Sequence, residues 1–205
     1  MLPFLHPSNI LIAASSQSGK TYFTIELVKN NKVMFSPPPD KILWIYSIYQ
    51  KSYNSIADIV EFSDVIPSAE SFGNDTRTLV ILDDLMQEAG PQIEELFTRG
   101  SHHKNLTVIH LTQNLFYKSK CQRTLSLNSH YIILFKNVRD VTQIATLARQ
   151  MYPSRVHYMV EAYKDATSVP YGYLLIDLRP ETEERFRLRS GILPSQVPFV
   201  YVMKN

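Results

Sequence analysis

Ile10-Leu11-Ile12-Ala13-Ala14-Ser15-Ser16-Gln17-Ser18-Gly19-Lys20-Thr21 is the stretch that decides the fold class of this chain. It reads as a buried strand, a turn of small residues and the start of a helix. Gly19-Lys20-Thr21 stand where a phosphate-binding loop ends, and Ala14 stands where that motif opens. In such a loop the backbone N–H groups from Ser16 to Thr21 converge into a concave anion nest. The helix behind it adds unpaired N-terminal donors and the positive end of its dipole. Nucleotide binding is therefore expected at Ala14, Ser15, Ser16, Gln17, Ser18, Gly19, Lys20, Thr21 and Tyr22. Lys20 would reach the β- and γ-phosphates of ATP, and the Thr21 hydroxyl would ligate Mg²⁺. Alanine holds a negative-φ turn but not a left-handed one, so Ala14 removes the usual glycine's freedom at the loop's start. Gly19, where the backbone passes closest to phosphate, is retained.

Downstream, apolar strands alternate with helices. Tyr22 to Lys29 has the pattern of an amphipathic helix, and Asn30-Asn31 stops it. Lys41 to Tyr46 is rich in β-branched and aromatic residues, as a strand is. A helix over 51–59 and a short strand from Val60 to Ile66 follow. Thr78 to Leu82 is a fully apolar strand ending in Asp83-Asp84. Gly90-Pro91 precedes a helix with Ile93, Leu96 and Phe97 facing inward and Gly100 closing it. Leu106 to Leu111 is a third core strand, ending in Thr112-Gln113-Asn114. A polar helix over 117–127 leads to the strand Tyr131–Phe135, and Asn137 to Asp140 caps a helix carrying Val141, Ile144, Ala145, Ala148 and Met151 on one face. Tyr171 to Leu178 is a further strand, and Arg185 to Arg189 alternates as an edge strand does. The pattern predicts an α/β fold with an open, mostly parallel central sheet flanked by helices. Ligands in such sheets sit at the carboxyl ends of the strands, where Ala14, Asp83 and Gln113 all fall.

The chemistry of those strand ends is specific. A carboxylate closing an apolar strand downstream of a phosphate loop holds Mg²⁺, and Asp83 is so placed. Asp84 is either the general base that polarises the attacking water or a cap on the next turn. Gln113 either bonds that water and the γ-phosphate or satisfies a strand end. Arg99, opening Gly100-Ser101-His102-His103-Lys104-Asn105, is the candidate for an arginine finger offered to an adjacent subunit, with Arg123 and Arg139 as competitors. His102 and His103 are adjacent and lack a nearby Cys or acidic partner, so they read as loop or phosphate contacts and not as zinc ligands. Arg185, Arg187 and Arg189 share one face of their strand. They either blunt a solvated edge or, with His102, His103 and Lys104, contact DNA or a neighbouring subunit.

Composition narrows the setting. The 205 residues suit one P-loop ATPase domain, with 44% hydrophobic content for its core. No apolar run is long enough to span a membrane. Met1 to Pro7 lacks a basic n-region and an apolar h-region, so no secretion is expected. Cys121 is the one cysteine, which excludes an internal disulfide and fits a reducing compartment, nucleus or cytosol. Residues 1–100 hold 7 Lys/Arg against 12 Asp/Glu, whereas residues 101–205 hold 14 against 7. The net charge of +2 thus hides an acidic half and a basic half, fitting either a nucleic-acid partner or a head-to-tail ring.

Four segments together resemble the viral genome-packaging ATPases of the FtsK–HerA superfamily, in the branch shared by poxvirus-like viruses and Maverick/Polinton elements. They are Leu79–Met86, Phe97–Asn105, Leu111–Phe116 and Phe135–Asp140, with Leu147–Pro153 in the same pattern. The resemblance covers roughly residues 8–160; residues 161–205 have no assigned counterpart and are expected to complete the sheet or a subunit interface. It implies a RecA-like P-loop NTPase core of the ASCE type, with the Gln113 strand inserted between the Walker A and Walker B strands. It further implies a ring, commonly hexameric, that hydrolyses ATP between subunits and pumps double-stranded DNA into a preformed capsid. Capsid or portal-vertex proteins would be its partners, in the virion or the host nucleus or cytoplasm. The chain departs from the family at Ala14, and at Asp84, where glutamate is frequent. Two other readings remain: a P-loop kinase acting on a small substrate, and an ATP-bound assembly subunit with weak hydrolysis. A GTPase is disfavoured because Asn137-Val138-Arg139-Asp140 lacks the lysine of a guanine-reading motif.

Overall fold

Strands that are apolar at every position have no face to show water, so they must be covered on both sides. The computed structural model describes residues 2–85, 90–101, 104–113, 115, 120–139 and 141–203. Its strands are β1 (Phe4–Leu5), β2 (Asn9–Ala13), β3 (Phe35–Ser36), β4 (Lys41–Tyr46), β5 (Glu61–Ser63), β6 (Thr78–Asp83), β7 (Leu106–Thr112), β8 (Tyr131–Phe135), β9 (Tyr173–Asp177), β10 (Leu188–Ser190) and β11 (Phe199–Tyr201). Helices are α1 (Lys20–Lys29), α2 (Asn31–Met34), α3 (Gly90–Glu95), α4 (Lys120–Leu127), α5 (Val141–Met151) and α6 (Val156–Ala166). A π-helical turn, Leu96–Gly100, continues α3, and the helix expected over 51–59 is a 3₁₀ turn at Lys51–Ile56.

Among the described residues nine strands form one sheet in the order β11-β10-β9-β8-β2-β7-β6-β4-β5, and β1 pairs with β3 separately. The six strands from β8 to β5 run parallel, whereas β9, β10 and β11 join antiparallel. The Gln113 strand, β7, lies between β2 and β6. This is an α/β fold with a mostly parallel central sheet flanked by helices.

Alternation within each strand feeds both layers. On β6, Leu79 and Ile81 join Phe23, Leu27 and Trp44 on the α1 side, while Val80 and Leu82 pack with Ile93, Leu96 and Phe97 on the other. On β2 and β8, Leu11 and Ile132 meet Leu147, Ala148 and Met159 of α5 and α6. Phe23, Thr24, Ile25, Leu27 and Val28 are all buried, so α1 is enclosed on more than the single face its sequence pattern indicated.

Two local expectations are corrected. Gly100 does not close a helix through a left-handed turn; a Cβ there would lie 2.7 Å from Leu106 Cδ1, so close packing selects glycine. The segment Arg185–Arg189 is not an edge strand. It divides into a 3₁₀ turn, Glu184–Phe186, and β10, which is hydrogen-bonded to β9 on one side and β11 on the other.

His110 on β7 is 6% exposed, and its Nδ1 has no hydrogen-bond partner among the described residues. Burial lowers its pKa to about 4, against a weaker upward pull from its hydrogen bond with the Leu82 backbone. Because the unfolded value lies near 6.5, the unfolded chain takes up the proton first, and stability present above pH 6.5 is lost as pH falls toward 4. At about 1.4 kcal/mol per unit the full effect is about 3 kcal/mol. His110→Leu is expected to flatten the acid-side fall in urea-unfolding free energy; parallel pH profiles for the two proteins would contradict this.

Candidate nucleotide site

Parallel register brings three strand ends to one edge. Ala13 pairs with Thr112, and Asp83 pairs with both Leu111 and Tyr46. The chain leaving β2 therefore emerges beside Gln113 and Asp83, which are 100 and 70 residues away from Ala13 to the nearest ten. On the other flank, Ser15 Oγ donates to the Lys136 carbonyl at 3.3 Å, fixing the segment after β8 against the loop.

Ala14 is accommodated without strain. Its N–H donates to the Thr112 carbonyl at 3.0 Å, prolonging the β2–β7 ladder by one rung, and its methyl is buried in the core. The left-handed turns fall instead at Gln17 (φ 63°) and Gly19 (φ 95°). Ser18 closes the loop by donating from its hydroxyl to the Ser15 carbonyl at 2.6 Å. Gly19 is the N-cap of α1 and has no side chain to cap it, and the first turn of the helix carries no acidic residue. The first-turn N–H groups, which lack intrahelical partners, are left for an anion. Within the Ser16–Thr21 nest expected from the spacing, the Ser18 N–H is turned to the Ser15 carbonyl at 3.3 Å.

The two aspartates at the end of β6 lie in contrasting surroundings. Asp83 is 1% exposed; its Oδ2 accepts from the Tyr53 hydroxyl at 2.9 Å and, at a longer 3.5 Å, from Thr21. Its Oδ1 is buried with no hydrogen-bond partner among the described residues. Burial pushes the Asp83 pKa up, opposed by the Tyr53 hydrogen bond and the Lys20 charge. Asp84 is exposed and left-handed (φ 53°), a conformation aspartate tolerates better than most residues. That reversal separates the two carboxylates. It brings Asp84 Oδ1 within 3.5 Å of Gln113 Nε2, itself exposed at the end of β7.

The remaining candidates scatter. Arg99 is on the π-helical turn with its side chain 65% exposed, 3.9 Å from Glu95. That turn is held to the opposite, amino end of the sheet, because Asn9 at the start of β2 donates to the Phe97 carbonyl and the Ser101 hydroxyl. Arg139, by contrast, is exposed just after β8, on the phosphate-loop side. Arg123 is exposed on α4. His102 and His103 lie outside the described residues, as does Asp140 of the expected helix cap. Lys104 is paired with Glu70 at 3.0 Å.

The shared face expected for Arg185, Arg187 and Arg189 is not formed. Arg189 is buried in an ion pair with Asp177 at 3.0 Å. Arg187 bonds the carbonyls of Asp177, Arg179 and Thr182 and pairs with Glu184. Only Arg185 remains exposed, over the Phe186 ring and 2.9 Å from Glu183. Because β10 is flanked on both sides, Arg189 on it and Arg187 just before it are turned to holding the C-terminal segment together.

Sequence reasoning missed two tyrosines. Tyr53 belongs to a segment with no recognisable motif, and only the fold brings it to Asp83. Tyr171 was placed in a strand, but β9 begins at Tyr173; Tyr171 is left-handed (φ 60°) and 70% exposed. Its ring sits over Gly19, where a Cβ would come within 2.9 Å of Tyr171 Cδ1. Together with Tyr22, Phe23, Val169 and Phe199 it walls a cleft of about 760 Å³ that opens next to the loop.

No protein-family model and no curated protein matches the chain. Among solved structures, it is similar to the genome packaging NTPase B204 from Sulfolobus turreted icosahedral virus 2 in complex with ATPγS. The TM-score is 0.50 at 14% identity, covering 98% of both chains. The same NTPase in complex with sulfate matches at a TM-score of 0.50 and 14% identity over 97% of both. At this identity the likeness concerns the fold.

Proposed function

We propose that this chain is a viral genome-packaging ATPase of the FtsK–HerA type, a ring-forming motor, hexameric in its working state, that hydrolyses ATP to drive double-stranded DNA into a preformed capsid. The observation that carries the reading is the convergence, at one sheet edge, of an uncapped glycine-closed loop, a buried carboxylate and an exposed carboxylate–amide pair. The insertion of β7 between β2 and β6, and the likeness in fold to a packaging NTPase that binds an ATP analogue, support it.

In this reading the loop amides and Lys20 bind the phosphates, and the base enters the largely apolar cleft walled by Tyr22 and Tyr171. The donor set fits Mg²⁺: a hydroxyl, Thr21, beside a buried carboxylate whose Oδ1 has no partner among the described residues. Thr21 and Asp83 would hold the ion, which when bound neutralises charge on the β- and γ-oxygens. Asp84 accepts the proton of the attacking water, and Gln113 orients that water and bonds the γ-phosphate. Arg99 completes the site of a neighbouring subunit. Capsid or portal proteins would anchor the ring, and Arg185 is the cation of the C-terminal segment most free to touch DNA or a neighbour.

The reading is tested by ATP hydrolysis with and without duplex DNA. Stimulation by DNA is expected; phosphate transfer to a nucleoside or metabolite would overturn it in favour of a kinase. Lys20→Ala is expected to weaken ATP binding by at least ~100-fold, measurable by calorimetry. Wild-type affinity in that variant would remove Lys20 from the phosphate site.

A further inference from the structure

Tyr53 is fully buried, yet it keeps a hydroxyl where phenylalanine would fill the same space. Its ring lies in an aromatic cage, 5.0 Å from Trp44, 5.3 Å from Tyr49 and stacked at 5.5 Å on Phe62. The cage fixes the ring, and so fixes where its hydroxyl can point. That hydroxyl donates to Asp83 Oδ2 at 2.9 Å, well inside the 3.5 Å separating Thr21 from the same oxygen. The carboxylate is thus tethered through one oxygen while the other, Oδ1, is buried without a partner among the described residues.

We propose that Tyr53 is a positioning residue for divalent-cation binding. It locks the rotation of the Asp83 carboxylate so that Oδ1 is presented to the ion, and it spares the Thr21 hydroxyl from serving as Asp83's main hydrogen-bond donor. The inference rests on the reading of Asp83 as the metal-holding carboxylate and adds to it a residue from a different part of the chain. A carboxylate that binds a metal through one oxygen works best when the other is hydrogen-bonded, and removing such a partner typically weakens metal affinity 10- to 100-fold. The bond also links the site to the Lys51–Ile56 turn, outside the phosphate loop and the strand ends that sequence motifs identify.

The test compares wild type, Tyr53→Phe and Asp83→Asn, each saturated with a non-hydrolysable ATP analogue and titrated with Mn²⁺ under electron paramagnetic resonance. Tyr53→Phe keeps the ring and is expected to weaken Mn²⁺ binding about tenfold or more, with analogue affinity in EDTA unchanged within about twofold. In hydrolysis assays its deficit should shrink as Mg²⁺ is raised, which a packing defect would not allow. Wild-type Mn²⁺ affinity in Tyr53→Phe, alongside weakened binding in Asp83→Asn, would overturn the role of Tyr53 and leave Asp83 in place. Wild-type Mn²⁺ affinity in Asp83→Asn would instead overturn the assignment of Asp83 on which the proposal stands.

Discussion

Arg99→Ala is expected to bind ATP as the wild type does and to turn it over about a thousandfold more slowly, or worse, the loss seen when an arginine finger is withdrawn. The magnitude follows from where the charge acts: a guanidinium facing the developing negative charge of the transferring phosphoryl group has little to do in the ground state. The fold supports offering this residue in trans. Asn9 ties the Arg99 turn to the amino end of β2, whereas the phosphate loop leaves the carboxyl end of that strand. At about 3.3 Å per residue, β2 alone separates them by about 13 Å. In the proposed ring Arg99 would therefore be offered to the loop of a neighbour and not to its own. Mixing Arg99→Ala with Lys20→Ala subunits should restore part of the activity, because interfaces pairing an intact finger with an intact loop reappear. Arg139 lies on the loop side of the sheet, and Arg139→Ala supplies the contrast. If the mixture stays inactive, or if Arg139→Ala shows the larger defect, the finger is not Arg99.

Asp84→Asn is expected to retain ATP binding while hydrolysis falls about 10²- to 10⁴-fold, the usual contribution of general acid–base catalysis. Asparagine is the replacement that isolates the chemistry. It tolerates the left-handed conformation observed at Asp84 (φ 53°), and its side-chain oxygen can still accept from Gln113. What it cannot do is take a proton. Binding is expected to persist because, in the proposed reading, the loop and Lys20 would meet the phosphates and Thr21 and Asp83 would hold the cation. Single-turnover hydrolysis at the wild-type rate would remove Asp84 from the reaction.

The phosphate-loop spacing, the two aspartates and the strand ending at Gln113 were legible because each is a local pattern: small residues before Gly19-Lys20-Thr21, or an apolar run ending in polar groups. The position of that strand between the other two was implied only by the family resemblance. The parallel sheet followed from the same runs, since strands apolar at every position must be covered on both faces. The C-terminal segment was misread for the complementary reason. Strict alternation from Arg185 to Arg189 is what an exposed edge produces, and nothing local reveals that β11 returns to cover it or that Asp177 waits behind Arg189. Gly100 was taken for a helix stop because a glycine after a helix usually is one; the clash a Cβ would make with Leu106 is visible only in three dimensions.

By itself, the order of residues determined the class of fold, the loop and the edge of the sheet where chemistry would occur, because these depend on periodicity and on the conformational needs of single residues. Tertiary structure alone decided which residues from unrelated segments meet there. It brought Tyr53 to Asp83 and Tyr171 over Gly19, set the left-handed turns of the loop at Gln17 and Gly19, and carried Arg99 to the far end of the sheet. Those pairings rest on packing between elements tens of residues apart, and no short-range pattern encodes them.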